Sequence, residues 1–162
     1  VIMNKLEMDV RDTVLLANAE SIAVEASMVA YEGVVIAAER DAGSLRTMEE
    51  NASKFGTHNI EIIPEITVEA LEKLPTPRLA FIVAQKSTIE NDIVTLLKVN
   101  PKIKFIIYTL ELDILADIKY LMKKHGVDVT EVMQIAVSKV DKNGVFVAQP
   151  APWMITGEVK EK

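Results

Sequence analysis

Residues 12–31 read DTVLLANAESIAVEASMVAY, and this stretch decides the fold of the chain. An apolar run at 13–16 is followed by a short polar turn at 18–21 and then by apolar residues at helical spacing. A second apolar run, at 34–38, ends in Glu39. Strand, turn, helix and strand in this order predict the opening of a Rossmann-like sheet. Nucleotide-binding folds usually place glycines in the first turn, and this turn contains none.

The alternation of strands and helices continues along the chain. Short apolar runs rich in β-branched residues are typical of strands covered on both faces, and the segments between them have helical periodicity. Further strands are predicted at 60–63, 79–84 and 103–108, and helices at 22–31, 42–55, 67–74, 89–99 and 112–125. We expect Gly33, Gly56 and Gly126 to end helices, and Asp41 and Ser87 to cap them. The pattern predicts an α/β fold with helices on both faces of a mostly parallel sheet.

The pattern changes after Gly126. Apolar runs at 130–138 and 145–148 flank a polar turn at 141–144 that contains Asn-Gly, and another run begins at Met154. Such a turn predicts an antiparallel hairpin, which would complete a seven-stranded sheet. We expect a single domain over residues 1–162, with 1–12 as a short N-terminal lead-in.

Composition and charge exclude several classes of function. The 162 residues are 49% hydrophobic and contain no long uncharged apolar segment, so we expect a soluble, cytoplasmic protein without a membrane partner. A net charge of −6 argues against nucleic acid as a partner. The absence of cysteine excludes disulfides and thiolate chemistry. Neither His58 nor His125 lies near acidic residues at ligand spacing, so no metal site is predicted.

A set of short matches makes the assignment more specific. They fall in order from about residue 12 to 158 and include Ile22-Ala-Val-Glu-Ala26, Val35-Ile-Ala-Ala-Glu-Arg40, Asn59-Ile-Glu-Ile-Ile63, Thr109-Leu-Glu111 and Ile155-Thr-Gly157. By these residues the chain resembles the C15-methylating, decarboxylating domain of precorrin-6Y C5,15-methyltransferases. The resemblance implies a class I methyltransferase fold, S-adenosylmethionine as cofactor and a role in cobalamin biosynthesis. It also implies a corrin precursor as substrate, methylated at C15 with loss of the C12 acetate carboxyl, and a homotetramer.

Three positions depart from the pattern of that family. The turn after the first strand usually reads Asp-x-Gly-x-Gly-x-Gly, and here it reads Leu16-Ala-Asn-Ala-Glu-Ser21. Ile66 stands where the family often has an acidic adenine contact, and Val83-Ala-Gln-Lys-Ser87 replaces a glycine-rich turn. We therefore expect an eroded cofactor site, in which the side chains of Ala19 and Glu20 fill the space after the first strand.

Candidate cofactor-binding residues lie at the ends of the first two strands. Glu39 is predicted to accept hydrogen bonds from the ribose hydroxyls of a cofactor. The alternative is that Glu39 caps the next helix or pairs with Arg40. Asn18 and Ser21 are also candidates for the cofactor, and both are residue types that occur in ordinary turns and helix caps.

Substrate-side candidates follow the fifth strand, at the edge of the sheet where α/β proteins bind their ligands. These are Thr109 and Glu111. The sequence singles out no catalytic acid or base.

Three functions remain open from the sequence. The first is the methyltransferase that the resemblance implies, in which precise alignment of methyl donor and acceptor is the critical resource. The second is a catalytically silent homologue that keeps the sheet and a self-association surface and serves as a binding or structural subunit. The third, an NAD-type Rossmann protein, requires the same missing glycines.

Overall fold

A computed structural model describes residues 2–136 and 138–160. The elements in chain order are α1 (Ile2–Leu6), β1 (Thr13–Ala17), α2 (Glu20–Val29), β2 (Val34–Ala38), α3 (Ala42–Phe55), β3 (Ile60–Ile63), α4 (Val68–Glu72), β4 (Leu79–Val83), α5 (Ile89–Val99), β5 (Lys104–Thr109), α6 (Leu112–Lys124), β6 (Val127–Gln134), β7 (Ser138–Val140), β8 (Phe146–Ala148) and β9 (Trp153–Val159). The predicted alternation is confirmed. None of the helices in the described part of the chain is long and apolar enough to cross a membrane.

Seven strands form one sheet in the order β3-β2-β1-β4-β5-β9-β6. Strands β1 to β5 are parallel, and β9 runs antiparallel to both of its neighbours. The register places Leu16 of β1 between Ala37 of β2 and Phe81 of β4. Because the strand order reverses between β1 and β4, a crevice is expected at their carboxyl ends. The predicted seven-stranded, mostly parallel sheet is confirmed.

Helices cover both faces of the sheet, as predicted. Successive side chains of a strand point to opposite faces. Val14 and Leu16 accordingly pack in a core with residues of α1, α2 and α3, whereas Leu15 and Ala17 pack in a core with residues of α4, α5 and α6. Burial on both faces explains why these strands appear in the sequence as continuous apolar runs.

The predicted hairpin is present at its turn, but its two runs do not pair as expected: most of the run 130–138 belongs to β6 in the large sheet, and only Ser138 belongs to β7. The turn at 141–144 joins β7 and β8, which pair with each other in a separate two-stranded ribbon. All six residues of this ribbon are exposed, whereas β9 has four consecutive buried residues and inserts between β5 and β6. Val137, the second-last residue of the predicted run 130–138, lies outside the described residues.

Two of the predicted helix ends are confirmed, and one cap is not. Asp41 caps α3, where its Oδ2 accepts a hydrogen bond from the backbone N–H of Ser44 at 2.8 Å. Gly56 and Gly126 have the left-handed backbone conformation expected after a helix. The prediction for Ser87 is wrong, because Thr88 directly precedes α5 and provides no side-chain cap.

Gly33 has a steric role rather than the predicted helix-ending one. Helix α2 ends at Val29, and the backbone of Gly33 lies against that of Asp12. A Cβ atom at position 33 would lie 1.9 Å from the carbonyl oxygen of Asp12. Glycine is required here because the two backbone segments approach so closely.

Candidate active site

A narrow cleft lies at the carboxyl ends of β1 and β2, beside the point where the strand order reverses. Its volume is about 10 Å³, close to the space that one water molecule needs. The cleft is lined by Ala17, Asn18, Ala38, Arg40, Pro64, Glu65, Ile66, Thr88 and Asp92. This is the position at which open α/β sheets bind ligands.

Asn18 supplies the left-handed residue of the β1 turn without a glycine. Its φ angle is 57°, a conformation that asparagine tolerates better than most other residues do. Its backbone N–H donates to the carbonyl of Ala38 at 3.0 Å, and its side-chain Nδ2 donates to the carbonyl of Val83 at 3.2 Å. Asn18 therefore ties the ends of β1, β2 and β4 together across the crevice. Asn18 lines the cleft, as expected for a cofactor-binding residue, and its side-chain amide is hydrogen-bonded to the backbone carbonyl of Val83.

The residues that narrow the cleft differ from those predicted. Neither Ala19 nor Glu20 lines it, and Ala19 instead packs into the core beneath α2. Ser21 lies exposed in the first turn of α2 and does not line the cleft either. Arg40 and Glu65 line the cleft instead, with Arg40 Nε 3.8 Å from Glu65 Oε1.

Glu39 is buried directly after β2, between two residues that line the cleft. Its Oε1 accepts a hydrogen bond from the backbone N–H of Asp41 at 3.0 Å, which supports the entry into α3. This contact matches the helix-capping alternative, whereas the ion pair of Arg40 is formed with Glu65. Within the described residues, no hydrogen bond engages Glu39 Oε2, so this atom can still accept one from a ligand.

Asp92 is a site residue that the sequence analysis missed. It projects from the first turn of α5, is 3% exposed and lines the cleft. Its Oδ1 is fully buried, and no donor in the described part of the chain reaches it. Burial raises the pKa of Asp92 to about 6, an effect that the charge of Arg40 opposes and that of Glu65 reinforces.

A sequence signal for Asp92 did exist. Ile89, Ile93 and Leu96 form the buried face of α5, and helical spacing places position 92 on that same face. An aspartate at a core position of an otherwise apolar helix face is unusual, because burying a carboxylate costs free energy unless it is paired.

A larger cavity of about 610 Å³ lies at the same edge of the sheet. It is bounded by α1, α2, the end of β5, and the segments that connect β6 to β9, and it is lined by Ile2, Met3, Ile22, Glu25, Tyr108, Leu110, Ile135, Lys139, Gln149, Pro150 and Pro152. Its volume and mostly apolar lining are those of a small-molecule site. The predicted lead-in thus forms a helix that supplies part of the wall.

The two substrate-side candidates lie at the border of this cavity. Thr109 is buried, and its Oγ1 accepts a hydrogen bond from the backbone N–H of Glu111 at 2.9 Å. Glu111 is exposed and does not line the cavity, whereas Tyr108 and Leu110 do. In residues 2–136 and 138–160, no group of three acidic or histidine side chains is placed to hold a metal ion.

The strand order, with β9 inserted antiparallel between β5 and β6, is that of a Rossmann-like methyltransferase fold. Solved structures support this class. Precorrin-6Y C5,15-methyltransferase from Geobacter metallireducens GS-15 is 24% identical with a TM-score of 0.86, and the match covers 98% of this chain and 85% of that one. Precorrin 8W decarboxylase from Methanobacterium thermoautotrophicum is 19% identical with a TM-score of 0.80, and the match covers 98% and 87%.

The family follows from the sequence. The family model of the precorrin methyltransferase domain matches residues 15–157, so the chain belongs to this family. The comparison with curated proteins finds no match.

Proposed function

We propose that the protein is an S-adenosylmethionine-dependent methyltransferase of cobalamin biosynthesis that acts on a corrin precursor. Methylation at C15, loss of the C12 acetate carboxyl and a homotetrameric assembly are parts of the proposal. The observation that carries it is the placement of two sites on this family's fold. The polar cleft and the 610 Å³ cavity lie at the same edge of the sheet, on either side of the turn between β1 and α2.

The residues of the cleft fit the cofactor chemically. When bound, S-adenosylmethionine supplies a methyl group from its sulfonium to a nucleophilic carbon. Glu39 Oε2 has no hydrogen bond among the described residues and would accept one from a ribose hydroxyl, and the apolar residues Ala38 and Ile66 would contact the base. Asn18, held on the wall by its bond to Val83, positions the turn.

The cleft must widen to admit an adenosyl group. Arg40 and Glu65 are the charged, solvent-exposed part of its lining, with side chains that are 40% and 63% exposed. An exposed ion pair contributes about 0–1 kcal/mol, whereas micromolar binding corresponds to about 8 kcal/mol. Separating this pair therefore costs little compared with the binding free energy of the cofactor.

The cavity fits the acceptor substrate. Tyr108 and Leu110 offer an apolar surface to a macrocycle, and Lys139 offers a cation to the carboxylates of a corrin precursor. The role of this chain's residues is to place the acceptor carbon beside the methyl donor and to exclude water, which is where most of the rate enhancement of such a transfer arises.

Calorimetry with S-adenosylhomocysteine tests the proposal. We expect saturable micromolar binding to the wild-type protein, and roughly tenfold weaker binding to Glu39→Leu because the ribose loses its acceptor. Glu61→Leu, a change at an exposed residue of β3, is the matched control and is expected to bind as the wild type does. No binding heat at millimolar ligand would overturn the proposal.

A catalytically silent homologue is the second candidate. It is favoured by the bond from Asn18 to Val83 across the crevice and by the small volume of the cleft. A silent subunit is expected to give no heat with S-adenosylhomocysteine while it sediments as a folded oligomer.

A further inference from the structure

Asp92 places a carboxyl group in the protein interior, beside a cleft with room for about one water molecule. The residue is 3% exposed, and its Oδ1 has no hydrogen-bond partner among the described residues. A water in the cleft of about 10 Å³ can donate to this atom. Such a water satisfies the hydrogen bond but is neutral, so it does not compensate the charge of an ionised Asp92.

The cation that the described lining of the cleft offers to Asp92 is Arg40. Glu65 is the other charged residue of the lining, and the remaining ones are uncharged: Ala17, Asn18, Ala38, Pro64, Ile66 and Thr88. Next to the lining, Glu39 Oε1 accepts a hydrogen bond from the backbone N–H of Asp41. Charged residues of α4 and of the position after it, which lie on the element packed against α5, are exposed: Glu69, Glu72 and Lys73.

Arg40 is held only weakly by its partner in the structure. Its Nε lies 3.8 Å from Glu65 Oε1, which is longer than a hydrogen bond, and both side chains are solvent-exposed. Ion pairs of this kind contribute little to stability, because water and salt screen them. An ionised Asp92 is the stronger partner for Arg40, because a buried charge is screened less and is costly to leave unpaired.

The protonation state of Asp92 decides which partner is preferred. Burial raises the pKa of Asp92 to about 6, while the charge of Arg40 lowers this pKa and that of Glu65 raises it. Below this pH the carboxyl group is neutral, so Glu65 is the better partner of Arg40. Above this pH the carboxyl group is an anion, and the guanidinium gains a buried partner of opposite charge.

We propose that Arg40 is a pH-dependent switch between two partners: it pairs with Glu65 while Asp92 is protonated, and it turns to Oδ1 of Asp92 once that carboxyl group ionises. In the second position a guanidinium N–H replaces the water as donor to Oδ1. Glu65 is then a free carboxylate at the rim of the cleft. The charges along the cleft and the space within it therefore change with pH. The switch needs no ligand, so it goes beyond the proposed function.

Hydrogen exchange at arginine side chains tests the switch in the ligand-free protein. NMR measures the exchange rate of the Arg40 Nε–H relative to that of Arg46, an exposed residue of α3, so that the intrinsic pH dependence of exchange cancels. We expect this ratio to fall about tenfold or more from about pH 5 to about pH 8, because Arg40 gains a buried, charge-assisted hydrogen bond. In Asp92→Asn the ratio is expected to stay constant, because residue 92 is then neutral throughout.

Two further variants and a structural measurement complete the test. Glu65→Gln removes the exposed partner, and we expect Arg40 to keep its protection at the higher pH because Asp92 is still present. Glu69→Gln, at an exposed position of α4, is the matched control and is expected to behave as the wild type does. Crystal structures at the two pH values should show the guanidinium beside Glu65 at the lower pH and within hydrogen-bond distance of Asp92 Oδ1 at the higher one.

The outcomes separate the switch from the proposed function. A constant ratio of exchange rates in the wild-type protein overturns the switch and leaves water as the donor to Asp92. An equal fall of the ratio in Asp92→Asn overturns it as well, because another group then controls Arg40. Either result leaves the binding of S-adenosylhomocysteine untouched. A failure of that ligand to bind overturns the proposed function but leaves the exchange of partners by Arg40 in place.

Discussion

Two buried aspartates, one at each edge of the sheet, have very different surroundings. Asp12 precedes β1 at the amino edge, where Arg78 binds it with Nε 2.9 Å from Oδ1 and Nη2 2.6 Å from Oδ2. Asp92, at the carboxyl edge, has Arg40 nearby as a charge but no hydrogen bond to its Oδ1 among the described residues. The same residue type is thus fully paired at one edge and left with an open acceptor at the other.

Other polar residues at the amino edge are also paired. Asn59 Nδ2 donates to the carbonyls of Ser27 and Ala30 at 3.1 and 2.8 Å, and Asn100 Nδ2 donates to the carbonyl of Pro77 at 3.0 Å. These side chains stabilise the amino edge, since the donors of both asparagines have partners within the protein. The comparison teaches that Asp12 and these two asparagines are paired within the protein, whereas Oδ1 of the aspartate beside the cleft has no partner among the described residues.

The largest expected effect is at Gly33, in the tightly packed amino edge. Gly33→Ala places a methyl group 1.9 Å from a backbone oxygen, so we expect a loss of more than about 3 kcal/mol in the free energy of unfolding. Urea denaturation measures it. Gly43→Ala is the matched control: its Cβ meets only the Asp41 carboxylate, at 3.3 Å, and we expect a change within about 1 kcal/mol. Similar losses in both variants would contradict this account of Gly33.

The next effect concerns pH and the unpaired aspartate. The pKa of Asp92 in the folded state, about 6, is above the ordinary aspartate value of 3.8, so between these pH values the folded state binds more protons than the unfolded state. The contribution of Asp92 to the free energy of unfolding is therefore fully present below pH 3.8, decreases as the pH rises to 6, and is absent at higher pH. The loss amounts to roughly 3 kcal/mol at most. Asp92→Asn should gain stability relative to the wild type over this window, as urea denaturation at a series of pH values will show. A difference in the free energy of unfolding between the two proteins that stays constant from pH 3.8 to 6 would contradict this account of Asp92.

A smaller effect is expected from the paired aspartate. Asp12→Asn weakens the charged hydrogen bonds with Arg78, and we expect the free energy of unfolding to fall by about 2 kcal/mol at pH 7. The expected loss is smaller than for a fully buried ion pair because the side chain of Arg78 is 46% exposed. Thermal unfolding measures this loss, with Asp117→Asn, at an exposed position of α6, as the control. This change in the free energy of unfolding is opposite in sign to the one expected for Asp92→Asn at the same pH. Changes of equal sign in the two variants would contradict the contrast between the two edges.

The smallest effect is expected at the ion pair beside the cleft. Glu65→Gln removes an exposed contact of 3.8 Å with Arg40, so the free energy of unfolding should change by less than about 0.5 kcal/mol. If this pair narrows the cleft, the same variant should bind S-adenosylhomocysteine at least as tightly as the wild type. Weaker binding in calorimetry would show that Glu65 contacts the ligand instead.

Most of the fold was predictable because its signals are local. The runs that became β1, β2 and β5 are apolar and β-branched, which follows from burial on both faces, and Asp41 and Gly56 mark the ends of α3. The pairing of the last strands was not predictable in the same way. The Asn-Gly turn indicates a hairpin, but only packing decides whether that hairpin joins the sheet or stands apart as β7 and β8.

The candidate site was harder to predict because its properties depend on neighbours distant in the sequence. Asn18 was identified as a turn residue, but its bond to Val83 links positions 65 residues apart. Glu39 was placed correctly at the end of β2, and its contact with Asp41 is the local alternative that was left open. Asp92 was missed because a single aspartate in an apolar helix pattern gives no sign of whether a partner reaches it.

The sequence by itself determined the α/β class, the family and the strands whose carboxyl ends form the ligand-binding edge, because periodicity and turn residues act over a few positions. The tertiary structure decided the width of the cleft, the separate ribbon of β7 and β8, and the contrast between Asp12 and Asp92. The physical reason is that hydrogen-bond satisfaction is a property of three-dimensional surroundings. Arg78 reaches Asp12 across 66 positions of sequence, and no described residue reaches Asp92 Oδ1 in this way.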